Sequence, residues 1–254
     1  DDPVSLASSK LPIRKQIRNL QLREALVHSA RGEVPVAKMH YRPSFKRSED
    51  FIRILEGIQN AWRFGILSYS PREMDEHFLK HLAWVFAPDF FGGSDAYFRR
   101  PTDGITIEQG WDYVAPNPLK VPNEVHRHLF DASSIEDLSI PEQAIYYNFH
   151  VVRIQPFPDC NKRTGRTLQN LHLYANGYPP AFVEEGELGF HNQLFSAALR
   201  SYKQRQGRGK PSEEERRFFE FLGSKVNVSL DRILDEGYSV SPEVRRNGNG
   251  IYRN

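Results

Sequence analysis

Residues 155–166 read Gln-Pro-Phe-Pro-Asp-Cys-Asn-Lys-Arg-Thr-Gly-Arg, a run that drives a turn straight into a helix. Pro156 and Phe157 set up the turn, the lone carboxylate of Asp159 follows, and the small, polar and basic stretch from Cys160 to Arg163 opens an amphipathic segment reaching Ala175. The first backbone N–H groups of a helix have no intrahelical partners and together carry about half a positive charge. A phosphate in front of them is stabilised. Arg163 and Arg166 are three apart, hence on one helix face, and can fork onto phosphate oxygens. Asp159, just ahead of the helix, stands where a Mg2+ bridging those oxygens would be held. The expected site is a cradle for linked phosphates, lined by Asn161, Lys162, Arg163, Gly165 and Arg166, with Asp159 as the metal ligand. The same residue types also cap and brace ordinary helices, and Lys162 also reads as a surface lysine paired with an acidic neighbour.

Around that run the chain is punctuated into helices. Helical spacing of apolar residues predicts segments over Ile13 to Ala30, Phe51 to Leu67 and Met74 to Phe86, then Val121 to Leu129, Pro141 to Ile154, Asn161 to Ala175, Leu188 to Tyr202 and Glu213 to Leu234. Pro122 and Pro141 fall where a first-turn proline is tolerated, and Gly177 after Asn176 reads as a helix stop. Between Ala96 and Val114, Tyr97-Phe98-Arg99-Arg100, a Pro-Thr-Asp-Gly turn and Ile105-Thr106-Ile107 predict the chain's one β-hairpin. The tail from Ser239 to Asn254 reads as frayed.

Charge narrows the partners little. The 34 basic and 32 acidic side chains leave a formal charge of +2, which argues against a dedicated nucleic-acid or membrane-surface protein. One cysteine rules out an internal disulfide and a multi-cysteine zinc cage. No stretch approaches ~20 uninterrupted apolar residues.

Taken together, Pro156, Phe157, Asp159, Asn161, Arg163 and Arg166 resemble the motif of the Fic (Fido) family, His-Pro-Phe-x-Asp/Glu-Gly-Asn-Gly/Lys-Arg-x-x-Arg. The flanks agree: "YYNFHVVRI" is similar to the family's preceding core helix, "RTLQNLHLYANGYPP" to its motif helix and exit, and "AYFRR" through "WDYVAPNPLKVPNEV" to its flap and the lead into the next helix. The resemblance implies a mostly α fold: a Fic-like helical bundle with one β-hairpin flap and an N-terminal helical extension. On that reading residues 1–90 are the helical elaboration, 91–238 the core with a flap at 96–114, and 239–254 a flexible tail. It implies ATP or another nucleotide or pyrophosphate donor, Mg2+, and transfer of AMP or a phosphoryl-type group onto a protein hydroxyl. It further implies a protein target docked along the flap at Tyr97, Phe98, Arg99, Thr106 and Ile107. A soluble effector setting, cytoplasmic or secreted, follows only from the family's habits, and oligomeric state is not readable.

The departures from the pattern are chemical. Gln155 stands at the catalytic position, where the family has its general-base His. An amide can orient a hydroxyl but cannot take its proton near neutral pH, and a positioned base supplies ~10²–10⁴-fold. Cys160 and Lys162 replace two glycines of the adenylylating branch; Asn-Lys-Arg resembles the Doc branch, while Arg166 keeps the terminal-phosphate grip of the other. Cys160 reads as a small residue in a glycine's place, with a nucleophilic thiol as the lesser alternative. As replacement bases, His150 falls about 140° around its helix from Gln155 and His172 lies about two and a half turns beyond Arg163, while His126, His128 and His191 have no place from sequence. His77 and His81 have metal-ligand spacing but no third ligand pattern. The Glu-Gly pairs at Glu56, Glu185 and Glu236 lack the hydroxyl residue of a family-type inhibitory segment, with Ile52, Ala181 and Arg232 in its place. Two readings result: a divergent Fic-domain protein that binds a nucleotide or other pyrophosphate ligand with transfer altered or lost, or an inactive pseudoenzyme that works as an interaction module through its flap.

Overall fold

The computed structural model describes residues 48–93, 95–103 and 113–235. Eight α-helices occur among them: α1 (Ser48–Ser68), α2 (Glu76–Phe86), α3 (Pro88–Phe91), α4 (Val121–Val125), α5 (Ile140–Ile154), α6 (Asn161–Ala175), α7 (Leu188–Gln204) and α8 (Glu213–Asp235). The expected helix over Ile13 to Ala30, the flap residues Thr106 and Ile107 and the tail from Ser239 lie outside the described residues. Of the expected hairpin, residues 96–103 and 113–114 are described, and no strand occurs there or elsewhere among the described residues. No helix among them is long and apolar enough to cross a membrane.

Helix α5 is the axis of the bundle. It is buried on nearly every side, its polar Asn148, His150 and Arg153 included. Tyr147, Val151 and Ile154 join a core with Trp62 of α1, Leu79 and Leu82 of α2, and Leu168 and Leu171 of α6. Phe149 and Val152 face a second cluster with Phe195 and Leu199 of α7 and Phe218 of α8. Ala144 meets Leu173, Val226 and Leu230 in a third. Fully buried rings such as Trp62, Phe149 and Phe157 each contribute about 2–3 kcal/mol of burial free energy. Close approach depends on small residues: a Cβ on Gly65 would lie 2.3 Å from Leu171 Cδ1, so a larger residue there would force the buried Leu171 side chain to move.

Capping explains two of the boundaries. Asp75 takes an extended backbone and accepts a hydrogen bond from Phe78 N–H at 2.7 Å, so α2 starts at Glu76 rather than at the expected Met74. At the other end of α6, Tyr178 N–H donates to Leu173 O (2.9 Å) and Gly177 N–H to Tyr174 O (3.1 Å), with Gly177 at φ 83°. That is a Schellman stop, with glycine where a positive φ is needed. The segment expected as one helix over Val121 to Leu129 follows a 3-10 turn (Pro118–Lys120) and is divided into α4 and a π-helical stretch (His126–Phe130). The wider turn, closed by Asp131 N–H on His126 O at 3.0 Å, brings the adjacent His128 and Leu129 both inside.

Candidate functional site

The turn between α5 and α6 is a tight, internally bonded loop. Gln155 ends α5 in the left-handed region (φ 50°, ψ 60°), with its N–H on Val151 O. Its side chain turns back into the protein: Nε2 donates to Val152 O at 2.8 Å, and the residue is 8% exposed. The amide at the general-base position thus satisfies a carbonyl at the end of α5. Phe157 is fully buried in the core and pins the loop. Asn161 clamps it, accepting from Phe157 N–H (2.8 Å) and donating to Phe157 O (2.7 Å). Cys160 is buried and left-handed (φ 67°), so the thiol packs inward in a glycine-like backbone position.

Arg99 locks this loop from the side. It is 4% exposed; its N–H donates to Pro156 O (2.8 Å), Nε to Gln155 O (2.6 Å), and Nη2 to Pro116 O and Ile154 O. Burial draws its pKa below the ordinary arginine value, against the opposing pull of Tyr113 and Asp103. Its guanidinium therefore braces backbone carbonyls of the loop. Tyr97 packs edge-on against Phe91 and Phe98 lies on Phe157, with Arg100 over the first ring and Lys80 over the second.

Helix α6 begins at this loop with no side-chain cap, since Cys160 provides none. Its first turn carries Arg163, whose Nη2 lies 3.5 Å from Asp159 Oδ2 and whose guanidinium stands over the Phe86 ring. The other oxygen of Asp159 accepts from Cys160 N–H at 2.6 Å, and its side chain is 42% exposed. One half-open carboxylate ahead of a helix start is compatible with Mg2+, which binds through one or two carboxylates and otherwise through phosphates and water. No group of three or more His, Cys, Asp or Glu placed to hold a metal occurs among the described residues, and His77 and His81 share only Asp95. Arg166 Nε reaches Lys162 O at 3.4 Å.

Arg163 and Arg166 come together on one cavity of about 50 Å³, bounded also by Phe86, Asn148 and His191. Its size is that of a few water-sized groups, the scale of one phosphoryl group. Gly165 faces the other way. A Cβ there would lie 2.8 Å from Asn148 Oδ1 and 3.3 Å from Val152 Cγ2, so its structural role is the α5–α6 contact.

Sequence reading did not single out the amides behind the arginines. Asn148 Nδ2 donates to Gln169 Oε1 (2.8 Å), Asn170 Oδ1 accepts from Ala181 N–H (2.9 Å), and Asn148 Oδ1 is buried without a hydrogen-bond partner. The available signal was three amides on core-facing positions of two neighbouring helices, where apolar residues are the norm. Among the described histidines, His150 and His172 are buried in the bundle and only His191 lines the cavity with the arginines.

Residues 73–173 match the model of the Fic/DOC family. The chain is similar in structure to a Fic-domain-containing signaling protein from Bacteroides thetaiotaomicron, at TM-score 0.70 and 16% identity, covering 91% of this chain and 93% of that one. It is similar also to a Fic family protein from Desulfovibrio desulfuricans (TM-score 0.58, 12% identity, 96% and 78% covered) and to Fic-1 from C. elegans (0.55, 17%, 90% and 70%).

Proposed function

With a Fic/DOC-family segment at residues 73–173 as the premise, we propose that this protein binds the phosphates of a nucleotide or other pyrophosphate ligand at the start of α6, with transfer of AMP or a phosphoryl group to protein hydroxyls lost or greatly slowed. The observation that carries the reading is the convergence of Arg163 and Arg166 on one cavity along the flank of α6, a helix that starts without a side-chain cap, although no residue from 155–162 lines that cavity. Two guanidinium groups at a helix N-terminus favour a multiply charged anion. The cavity has room for a single phosphoryl group, so the remainder of the ligand would lie outside it, over the loop.

Asp159 would hold Mg2+ once Arg163 exchanges it for phosphate; the ion, when bound, neutralises charge on the phosphates. The chemistry is the weak part of the site. A target hydroxyl needs an acceptor for its proton, and the Gln155 amide is both unbasic and engaged with Val152 O. That engagement also favours the second reading, a non-catalytic interaction module.

Thermal melts separate the two. ATP, UTP and CDP-choline, each with and without Mg2+, should raise the melting temperature of a binder, since ligand at about 100 times its Kd adds ~2.7 kcal/mol. Arg166→Ala should abolish that rise. A flat panel, or a rise unchanged by Arg166→Ala, would overturn the cradle and leave the docking module. Labelled ATP supplied to the Gln155→His protein tests the remaining machinery: label transferred to protein means that only the base was missing.

A further inference from the structure

A larger cavity, of about 390 Å³, lies away from the motif. It opens between the segment after Tyr113, the 118–130 helical run, the end of α5 and the end of α7, and no residue from 155–166 lines it. The cradle cavity meets α7 at His191 and this one meets it at Tyr202, eleven residues on, roughly 16 Å along the helix.

Its inner wall is rigid and charged. Arg153, 4% exposed, donates from Nε to His150 Nδ1 (3.0 Å) and from Nη2 to Glu124 Oε2 (2.7 Å), and its guanidinium stands over the Tyr202 ring at 4.7 Å. Two of its five N–H donors are used in those bonds, and the group still lines the cavity beside the Tyr113 hydroxyl. His128 is held by stacking on His150 (4.1 Å) and by Tyr146 at 2.8 Å. Burial, with Arg153 nearby, lowers its pKa to about 4, so it stays neutral near pH 7.

The rim adds Lys120, Arg127 and Lys203, all exposed. Among the described residues none of the three has a carboxylate within ion-pair distance. Among the described residues four cations thus surround one carboxylate, Glu124, which Arg153 already neutralises. An excess of cationic donors around a pocket with a buried arginine selects a multiply charged anion. The volume falls in the range of small-molecule sites and far exceeds what an inorganic ion fills, while Val114 and Pro116 supply apolar wall.

We propose that this cavity is a second ligand site, which takes a small organic molecule bearing a phosphate group: the phosphate meets Arg153 with Arg127 and Lys203, and the organic body lies against Tyr113, Val114 and Pro116. The site is independent of the cradle and of any transfer chemistry there.

Calorimetric titration of the full chain with AMP, ribose 5-phosphate and inorganic phosphate tests it, in the natural protein and in Arg166→Ala, which disables the cradle. The expected result is binding of an organic phosphate that survives Arg166→Ala and weakens about tenfold or more in Arg127→Ala/Lys203→Ala, the loss of charge-assisted contacts. Both replaced side chains are exposed, so the fold is retained, as circular dichroism would verify. The proposal is overturned if neither organic phosphate binds, if binding disappears with Arg166→Ala, or if the rim variant binds unchanged. Inorganic phosphate binding as tightly as AMP overturns it as well.

Discussion

At the residue scale, what a position carries and where it points are separate facts, and only the first is written in the sequence. Gln155 announces the missing base by its identity, but its left-handed backbone, which sends the amide back to Val152 O, depends on how α5 ends against the core. Gly165 shows the same gap: it reads as part of a phosphate loop and packs against Asn148 and Val152. Gly165→Ala should therefore act on stability first. The added methyl, 2.8 Å from Asn148 Oδ1 and 3.2 Å from Asn148 O, must push α5 and α6 apart at a cost of about 1–3 kcal/mol. The urea midpoint reads this directly, and a midpoint within error of the natural protein would mean that the helices are not in contact there. Asn161, legible as a motif residue, works by a mechanism that spacing does not reveal. Its side chain bonds both backbone groups of the buried Phe157. Asn161→Ala leaves those groups unpaired in the core and should cost about 1–3 kcal/mol, with loop amides near Phe157 losing hydrogen-exchange protection. Protection equal to the natural protein's would show that the clamp is dispensable.

At the element scale, the helices that end on chemical punctuation were legible and those shaped by packing were not. The expected span of α6 coincides with the observed one because Cys160-Asn161 and Asn176-Gly177 mark both ends locally. The last helix, α8, likewise follows from its apolar spacing and acidic start. The π-helical turn at His126–Phe130 was not legible: it exists because two adjacent side chains must both reach the interior, a demand set by α5 and not by the segment itself. The short α3 escaped notice because four residues give no period to read. Gly177 offers the test of local punctuation. At φ 83° an alanine is strained, so Gly177→Ala should destabilise by about 1 kcal/mol. Because the Schellman bonds close the C-terminal end of α6, the loss should appear in the fraying of that end and leave the Asn161 end unaffected. Hydrogen exchange of Tyr178 and Gly177 amides measures it, and unchanged protection at both would remove the Schellman stop from the account.

At the scale of the whole molecule, the bundle buries histidines that it keeps uncharged, and this ties its stability to pH. His172 is the cleanest case. Gln143 Nε2 donates to Leu138 O (2.8 Å), which turns Gln143 Oε1 toward His172 Nε2 at 3.0 Å, so that nitrogen carries the proton and Nδ1 accepts from the Tyr69 hydroxyl at 2.8 Å. Burial alone lowers the His172 pKa from 6.5 to about 4. His128 falls to a similar value through burial and Arg153, and burial lowers His150 as well. Between pH 6.5 and about 4 the unfolded chain binds protons at these rings that the folded chain does not. Acidification therefore favours unfolding: each ring's contribution is complete above its unfolded value near 6.5 and is lost as pH falls toward the folded value. The slope is at most about 1.4 kcal/mol per pH unit per ring, and levels off once the folded ring also protonates. Urea unfolding across this range should show stability dropping as pH falls, and His172→Asn should flatten the drop by about one proton's share, whatever its effect at neutral pH. Parallel curves for the two proteins would mean that His172 takes up its proton equally well folded and unfolded. Such a result would contradict the neutral Gln143–His172–Tyr69 chain linking α5, α6 and the end of α1.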